Sequence, residues 1–327
     1  MNANVDKPII AITQGDPCGI GPEVVAKALA TGEPTRTCRP VIIGSVDSMQ
    51  QGIDIASANI SLRRIDAIEE AQATDGVIDI LDADVLDAAD ITPGAASEKC
   101  GEANGAWLIE AAELAQSGRV KASVMAPVNG EVLKLGPDAG QVFGSDPTQK
   151  YLTLLSGPLR VVHVFDHVML EDVCRKLTSE LVFAAIHKIN EVLIDFGISS
   201  PRIGVAGLNP HAHGPQETNA IIPGVKAAQA EGIIVTGPIS PDTVFRQGIE
   251  GRYDVVIAMF HDQGHIAIKT WGFVGNCAMF MGAPYLFLSV GHGTAYDIVG
   301  RGIASHEMML AAILQAASLS SGKGFLG

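Results

Sequence analysis

Three histidines in this chain each follow a run that reads as a buried strand. His167 comes after RVVHVFD, His211 after RIGVAGLNP and His261 after DVVIAMF. The neutral imidazole is the commonest protein ligand for a borderline divalent metal. A catalytic metal takes about three protein ligands and leaves positions open for substrate, and this set meets that count. Asp242 and Asp262 add oxygen donors, and Lys269 follows His261 closely enough to reach back toward it. A single His at a strand end is more often a hydrogen-bonded structural residue, and no HExxH-type spacing is present. Repetition on three strands, each beside Asp or Asn, is what points to a site. His265 competes with His261. His163 reads as mid-strand and His187 as mid-helix, both structural, while His213, His292 and His306 are further competitors.

A second constellation lies in GHGTAYDIVG, residues 291–300. Glycines flank His292, and Gly293, Thr294 and Asp297 could hold a nucleoside, the carboxylate accepting from ribose hydroxyls. The competing reading is a glycine-rich turn before a helix. A third is QGDPCGIG, residues 14–21. Its glycines, Gly15, Gly19 and Gly21, do not have the G-x-G-x-x-G spacing, and no Gly-Lys-Ser/Thr follows. Spacing alone favours a tight turn there, with Asp16 at a strand's carboxyl end keeping a ligand role open.

The elements that must carry these residues alternate. Strands are expected at 8–13, 40–44, 77–81, 120–126, 160–167, 202–207, 233–235, 255–260 and 285–290. Helices are expected from 22, over 102–116, 177–196, 219–230 and about 305–319. Alternation of this kind argues for an α/β fold. The run 255–260 is apolar on both faces, as in a parallel sheet, and open α/β sheets bind ligands at the carboxyl ends of such strands. Trp107, Leu108, Ala111, Leu114 and Ala115 share one helical face and read as core. The Gly- and Pro-rich stretch 136–147 reads as a loop at a domain crossover or a site rim.

With 327 residues, 47% hydrophobic and 18% charged, the chain suits a soluble protein of two domains. A net charge of −14 argues against nucleic acid or an anionic membrane as partner. Five scattered cysteines without a CxxC pair suggest neither a disulfide framework nor a thiolate zinc knuckle. No apolar run reaches the roughly 20 residues of a membrane span, and the first residues lack the pattern of a signal peptide. The expectation is a cytoplasmic protein.

TQGDPCGIGPE, LNPHAH, SPDTVF, FHDQGHIAIK and GHGTAYDIVGRG, in this order, resemble the 4-hydroxythreonine-4-phosphate dehydrogenase family of vitamin B6 synthesis. The resemblance implies the two-domain isocitrate/isopropylmalate dehydrogenase-like fold, with the active site in the interdomain cleft and no Rossmann fingerprint. It implies a first, discontinuous α/β domain over 1–127 plus about 285–327, on the dinucleotide side. A second domain over about 128–284 would carry the metal and the dimer contact. Residue by residue, His167, His211 and His261 match the metal ligands, one of them supplied by the partner of an obligate homodimer. Asp242 and Asp262 match acids near the metal, Lys269 matches the substrate-site lysine, GHGTAYDIVG matches the dinucleotide-side loop, and Gly15 and Asp16 are counted with the cofactor-binding residues. The implied cofactors are NAD or NADP and a divalent metal such as Zn, Mg, Mn or Co. The implied reaction is oxidation of a small β-hydroxy acid with decarboxylation.

The sequence reads as a divergent member. FGSDPT, residues 143–148, stands where the family carries Gly-His-Thr, Ala278 replaces an asparagine, and Phe287 replaces an arginine suited to phosphate. Two alternatives follow. One is a cis-dihydrodiol dehydrogenase of an aromatic carboxylate such as terephthalate, which the chain resembles in HDQGHI and SVGHG. The other is a non-catalytic, metabolite-binding relative.

Overall fold

The computed structural model describes residues 7–133, 135, 139–144, 146 and 149–326. Ser145, Pro147 and Thr148 of the FGSDPT segment, part of the 136–147 stretch and the first six residues lie outside the described residues. The chain divides into two compact units, Met1–Ser145 with Pro284–Lys323, and Asp146–Ala283 with Gly324–Gly327.

The first unit opens with β1 (Ile9–Thr13), α1 (Gly21–Ala30), α2 (Glu33–Thr37), β2 (Arg39–Ile43), α3 (Val46–Ala56), β3 (Ser61–Ile65) and β4 (Val77–Leu81). It continues through α4 (Glu98–Gln116), β5 (Ala122–Met125) and α5 (Ala139–Phe143). Helix α1 starts as its sequence dictates, with Pro22 in the first turn and Glu23 beside the positive end of the helix dipole. Helix α4 starts four residues earlier than expected, because the Ser97 hydroxyl caps it by accepting from the Cys100 N–H. Its stripe is core as expected: Trp107, Ala111 and Leu114 are buried against Ile9, Val41 and Ile43, and Leu108 is buried as well.

The second unit runs β6 (Tyr151–Ser156), β7 (Leu159–Phe165), α6 (Leu170–Lys176), α7 (Ser179–Asp195), β8 (Ile203–Ala206) and α8 (Ile222–Ala230). It ends with β9 (Val235–Ile239), α9 (Val244–Ile249), β10 (Val255–Phe260), α10 (His261–Trp271) and β11 (Cys277–Met281). The chain then returns to the first unit for β12 (Phe287–Ser289) and α11 (Glu307–Ser320). Strands β3, β6 and β11 lie outside the expected runs, and one expected strand is displaced. A short strand is expected at 233–235, but β9 starts at Val235 and extends through Pro238 to Ile239. Proline lacks a donor for the ladder but is tolerated on an edge strand, and β9 is an edge.

In the first unit the strands lie in the order β3-β4-β2-β1-β5-β12, every pair parallel. The chain leaves β1 toward β2 on one side and later fills β5 on the other, so the loop after β1 sits at a topological switch point. In the second unit the order is β11-β6-β7-β10-β8-β9. The β6 pairings with β11 and β7 are antiparallel, and those joining β7, β10, β8 and β9 are parallel. Strand β10 is buried from Val255 to Met259, between neighbours on both sides. Each buried Val, Ile and Met in this run contributes roughly 1.5–3 kcal/mol of transfer free energy. Among the described residues, no helix is long and apolar enough to cross a membrane.

Candidate metal centre and glycine-rich loop

The parallel register of β7 and β10 brings two of the three histidines together. Phe165 stands opposite Phe260. His167 is two residues beyond the one and His261 one residue beyond the other, on strands about 4.8 Å apart. Their ring centroids lie 4.8 Å apart. Each imidazole has a carboxylate at Nδ1: Asp262 Oδ1 lies 2.7 Å from that of His261, and Asp166 Oδ1 lies 2.8 Å from that of His167. The Asp262 bond fixes the His261 tautomer and leaves its Nε2 for a metal, whereas Asp166 Oδ1 is buried without a hydrogen-bond partner and stands as an oxygen donor beside His167. The donor atoms of Asp166, His167 and His261 all fall within 4.8 Å of one another. This donor set, two nitrogens and an oxygen, fits a borderline or hard divalent ion. The bond to His261 holds the Asp262 carboxyl below its ordinary range.

His261 begins α10; it does not sit in a loop. The glutamine of HDQGH ties this helix start to its neighbour strand. Gln263 Oε1 accepts from the Met259 N–H at 2.7 Å, and its Nε2 donates to the Gly207 carbonyl at 2.8 Å. One turn along, His265 stacks on His261 with centroids 3.6 Å apart and planes 16° apart. Behind it, at 4.9 Å, is His163. His163 is 1% exposed, its Nδ1 donates to the Leu152 carbonyl at 2.9 Å, and its Nε2 is buried without a partner. A Cβ on residue 264 would meet that nitrogen at 2.3 Å, so only glycine fits there. Burial, and then the neighbouring rings, push His163 down to about 3; burial and His261 push His265 down to about 4.

His211 does not join the group of Asp166, His167 and His261. It is exposed in a single turn, Pro210–Ala212, with φ 56° and ψ 19°, and Ala212 follows with φ 55°. Glu217 holds this left-handed corner: its carboxylate accepts from the N–H groups of Leu208 and Asn209, both at 2.7 Å, and from Asn209 Nδ2 at 2.7 Å. Burial pushes Glu217 up, but these donors leave it below its ordinary range. Asp242 is exposed and outside the group, accepting from Ser240 Oγ at 2.6 Å. Lys269 is exposed in the last turn of α10. Eight residues from His261, it stands about 12 Å along the helix axis on a similar face.

In the first unit, the turn after β1 and the 291–297 loop pack together. Gly15 has φ +75°, and the N–H of Ile20 donates to the Thr294 carbonyl at 3.0 Å. Asp16 is 1% exposed; its Oδ1 accepts from the Cys18 N–H at 2.9 Å and its Oδ2 from the Tyr296 hydroxyl at 2.5 Å. Burial and Asp16 push the Tyr296 phenol up to about 12. His292 donates from Nδ1 to the Gly293 carbonyl, and Asp297 is exposed in the short turn Tyr296–Ile298. Sequence reasoning passed over Gln263 and Tyr296, and took Asp166 only as the acid beside His167. Asp166 and Gln263 flank the candidate histidines in sequence, a usable signal; Tyr296 gave none. Phe287 and Ala278 are both buried, the first against Tyr285 and Phe143, the second within an apolar cluster of the second unit.

Comparison with known proteins identifies the lineage. A protein of Novosphingobium aromaticivorans, provisionally named 4-hydroxythreonine-4-phosphate dehydrogenase, is 45% identical over 98% of this chain and 97% of its own. D-threonate 4-phosphate dehydrogenase of Cupriavidus necator is 38% identical over 96% and 98%. Among solved structures, a 4-hydroxythreonine-4-phosphate dehydrogenase from Burkholderia phymatum matches with TM-score 0.83 and 37% identity, covering 96% of this chain and 98% of that one. A terephthalate 1,2-cis-dihydrodiol dehydrogenase from Burkholderia xenovorans LB400 matches with TM-score 0.64 and 28% identity, covering 98% and 99%. The model of the pyridoxal phosphate biosynthetic protein PdxA matches residues 36–316, and the chain therefore belongs to the PdxA family.

Proposed function

We propose that this protein is an NAD(P)- and divalent-metal-dependent dehydrogenase that oxidises a small β-hydroxy acid with decarboxylation. The observation that carries the reading is the His167 and His261 pair, each ring with a carboxylate at Nδ1. Dehydrogenase names among close relatives support the reaction class. The second unit would hold the metal and the first unit the dinucleotide, within an isocitrate/isopropylmalate dehydrogenase-like arrangement.

Bound at this site, the ion supplies Lewis acidity toward substrate oxygens, and the nicotinamide supplies the hydride acceptor. The chain's own residues do the rest. His167 and His261 would hold the ion, with Asp262 fixing the His261 tautomer through Nδ1 and Asp166 offering an oxygen beside them. Lys269 orients the substrate carboxylate or moves a proton at the site of oxidation. Gly15 and Asp16, with His292, Gly293, Thr294 and Asp297, receive the dinucleotide. His211 comes from a second copy of the chain in a homodimer. Its place outside the ligand group supports this, as do the exposed Met169, Leu170, Ile266, Trp271, Phe273 and Val274 of the second unit.

A phosphorylated hydroxy acid is the substrate class closest to the names of the most similar relatives. A second reading, a dihydrodiol of an aromatic carboxylate, is favoured by the burial of Phe287 where the family's phosphate-suited arginine is expected. The test is NAD(P)H formation with 4-hydroxythreonine 4-phosphate, D-threonate 4-phosphate and a terephthalate dihydrodiol offered in parallel. Turnover of a phosphate ester supports the first reading and turnover of the dihydrodiol alone the second. No turnover of any would sink both.

A further inference from the structure

We infer that His265 is the positioning residue of this metal centre: it fixes the plane of the His261 ring by stacking, and so sets the affinity for the ion without ligating it. The inference rests on the metal reading above. An imidazole bonds a metal in the plane of its ring, so the plane must be held as well as the tautomer. Asp262 fixes only one point, Nδ1, and its own side chain is 72% exposed. Rotation about that point is left open.

His265 closes it. Its ring lies face to face on His261, 3.6 Å away and tilted by 16°. It is itself tied down, because its Nδ1 donates to the His261 carbonyl at 3.1 Å, one helical turn back. Behind it stands the buried His163 ring, 4.9 Å away and fixed on the Leu152 carbonyl. Two rings thus brace the one that ligates. Ligation by His265 is disfavoured by the same geometry. Stacked rings carry their lone pairs in near-parallel planes that do not converge, and His265 is absent from the group of donors that do.

The test is titration of Co2+ into the metal-stripped, full-length protein and its His265→Ala, His265→Leu and His265→Phe variants. Residues that orient a metal ligand typically change affinity by about 10–100-fold. Ala and Leu should therefore bind Co2+ about tenfold or more weakly. Phe keeps a stacking face and should bind within about threefold of wild type. The ligand-field bands should stay at the wild-type positions in all three, since the ligand set is unchanged. Wild-type affinity in Ala and Leu, failure of Phe to rescue, or shifted bands would overturn the inference and leave the metal reading standing. No Co2+ binding by the wild type would overturn the metal reading itself, and the inference with it.

Discussion

His163 makes the second unit acid-sensitive in a way that can be worked out. Its ring is 1% exposed, and burial is the chief reason its pKa falls from 6.5 in the unfolded chain to about 3. A base with a depressed folded pKa is protonated first in the unfolded chain. Its contribution to stability is therefore complete above 6.5 and drains away as pH falls from 6.5 toward 3. The slope is about 1.4 kcal/mol per pH unit, so about 2 kcal/mol is lost by pH 5. Urea denaturation of the metal-free protein, followed by circular dichroism between about pH 7.5 and pH 5, reads this slope. In His163→Leu the overall stability drops, because the Leu152 carbonyl loses its donor, but the pH dependence should flatten by about that amount. His265, held at about 4, leaves a residual slope in the variant. Since the two rings touch, the contributions need not add. Parallel pH profiles for wild type and variant would refute the reasoning.

Four further outcomes are expected. Asp262→Asn should loosen the metal by about 10–100-fold in a chelator competition, because His261 loses its tautomer partner; unchanged affinity would count against the assignment. Lys27→Met should cost about 3–5 kcal/mol in denaturant unfolding. Lys27 Nζ donates to Glu23 Oε1 at 2.6 Å and to the carbonyls of Gly302 and Ala304 at 2.8 Å, and Glu23 is 2% exposed. Gly19→Ala places a Cβ 2.8 Å from Thr294 Cβ. It should cost about 1–3 kcal/mol and weaken NAD(P) binding in a fluorescence titration; full affinity would mean this loop contact does not matter. If His211 reaches its site from a second copy, inactive His211→Ala and inactive His261→Ala, mixed and reassembled, should recover about a quarter of wild-type turnover. No recovery would argue for a site built within one chain.

The sequence carried the site as far as periodicity and composition could. The apolar run of β10 announced both its strand and its burial, and its polar end announced His261. Pairing His261 with His167 needed the sheet order, which no single strand encodes. Helix α10 was hidden because HDQGH holds a glycine and two histidines, all modest helix formers; Gly264 is there for contact with His163. Missing that helix also hid the stack of His265 on His261, which depends on helical spacing. The left-handed corner at His211 was illegible for a similar reason: Glu217, six residues on, imposes it through hydrogen bonds. Tyr296 is bound to Asp16 across 280 residues of sequence, a contact no local pattern predicts.

The most direct test of the central claim is the rate of NAD(P)+ reduction on the best of the three substrates before and after removal of divalent metal. The account predicts that stripping the ion abolishes turnover, that Co2+ or Zn2+ restores it in the wild type, and that neither restores it in His261→Ala. Full turnover by the stripped enzyme, or by His261→Ala, would contradict a metal centre at the end of β10.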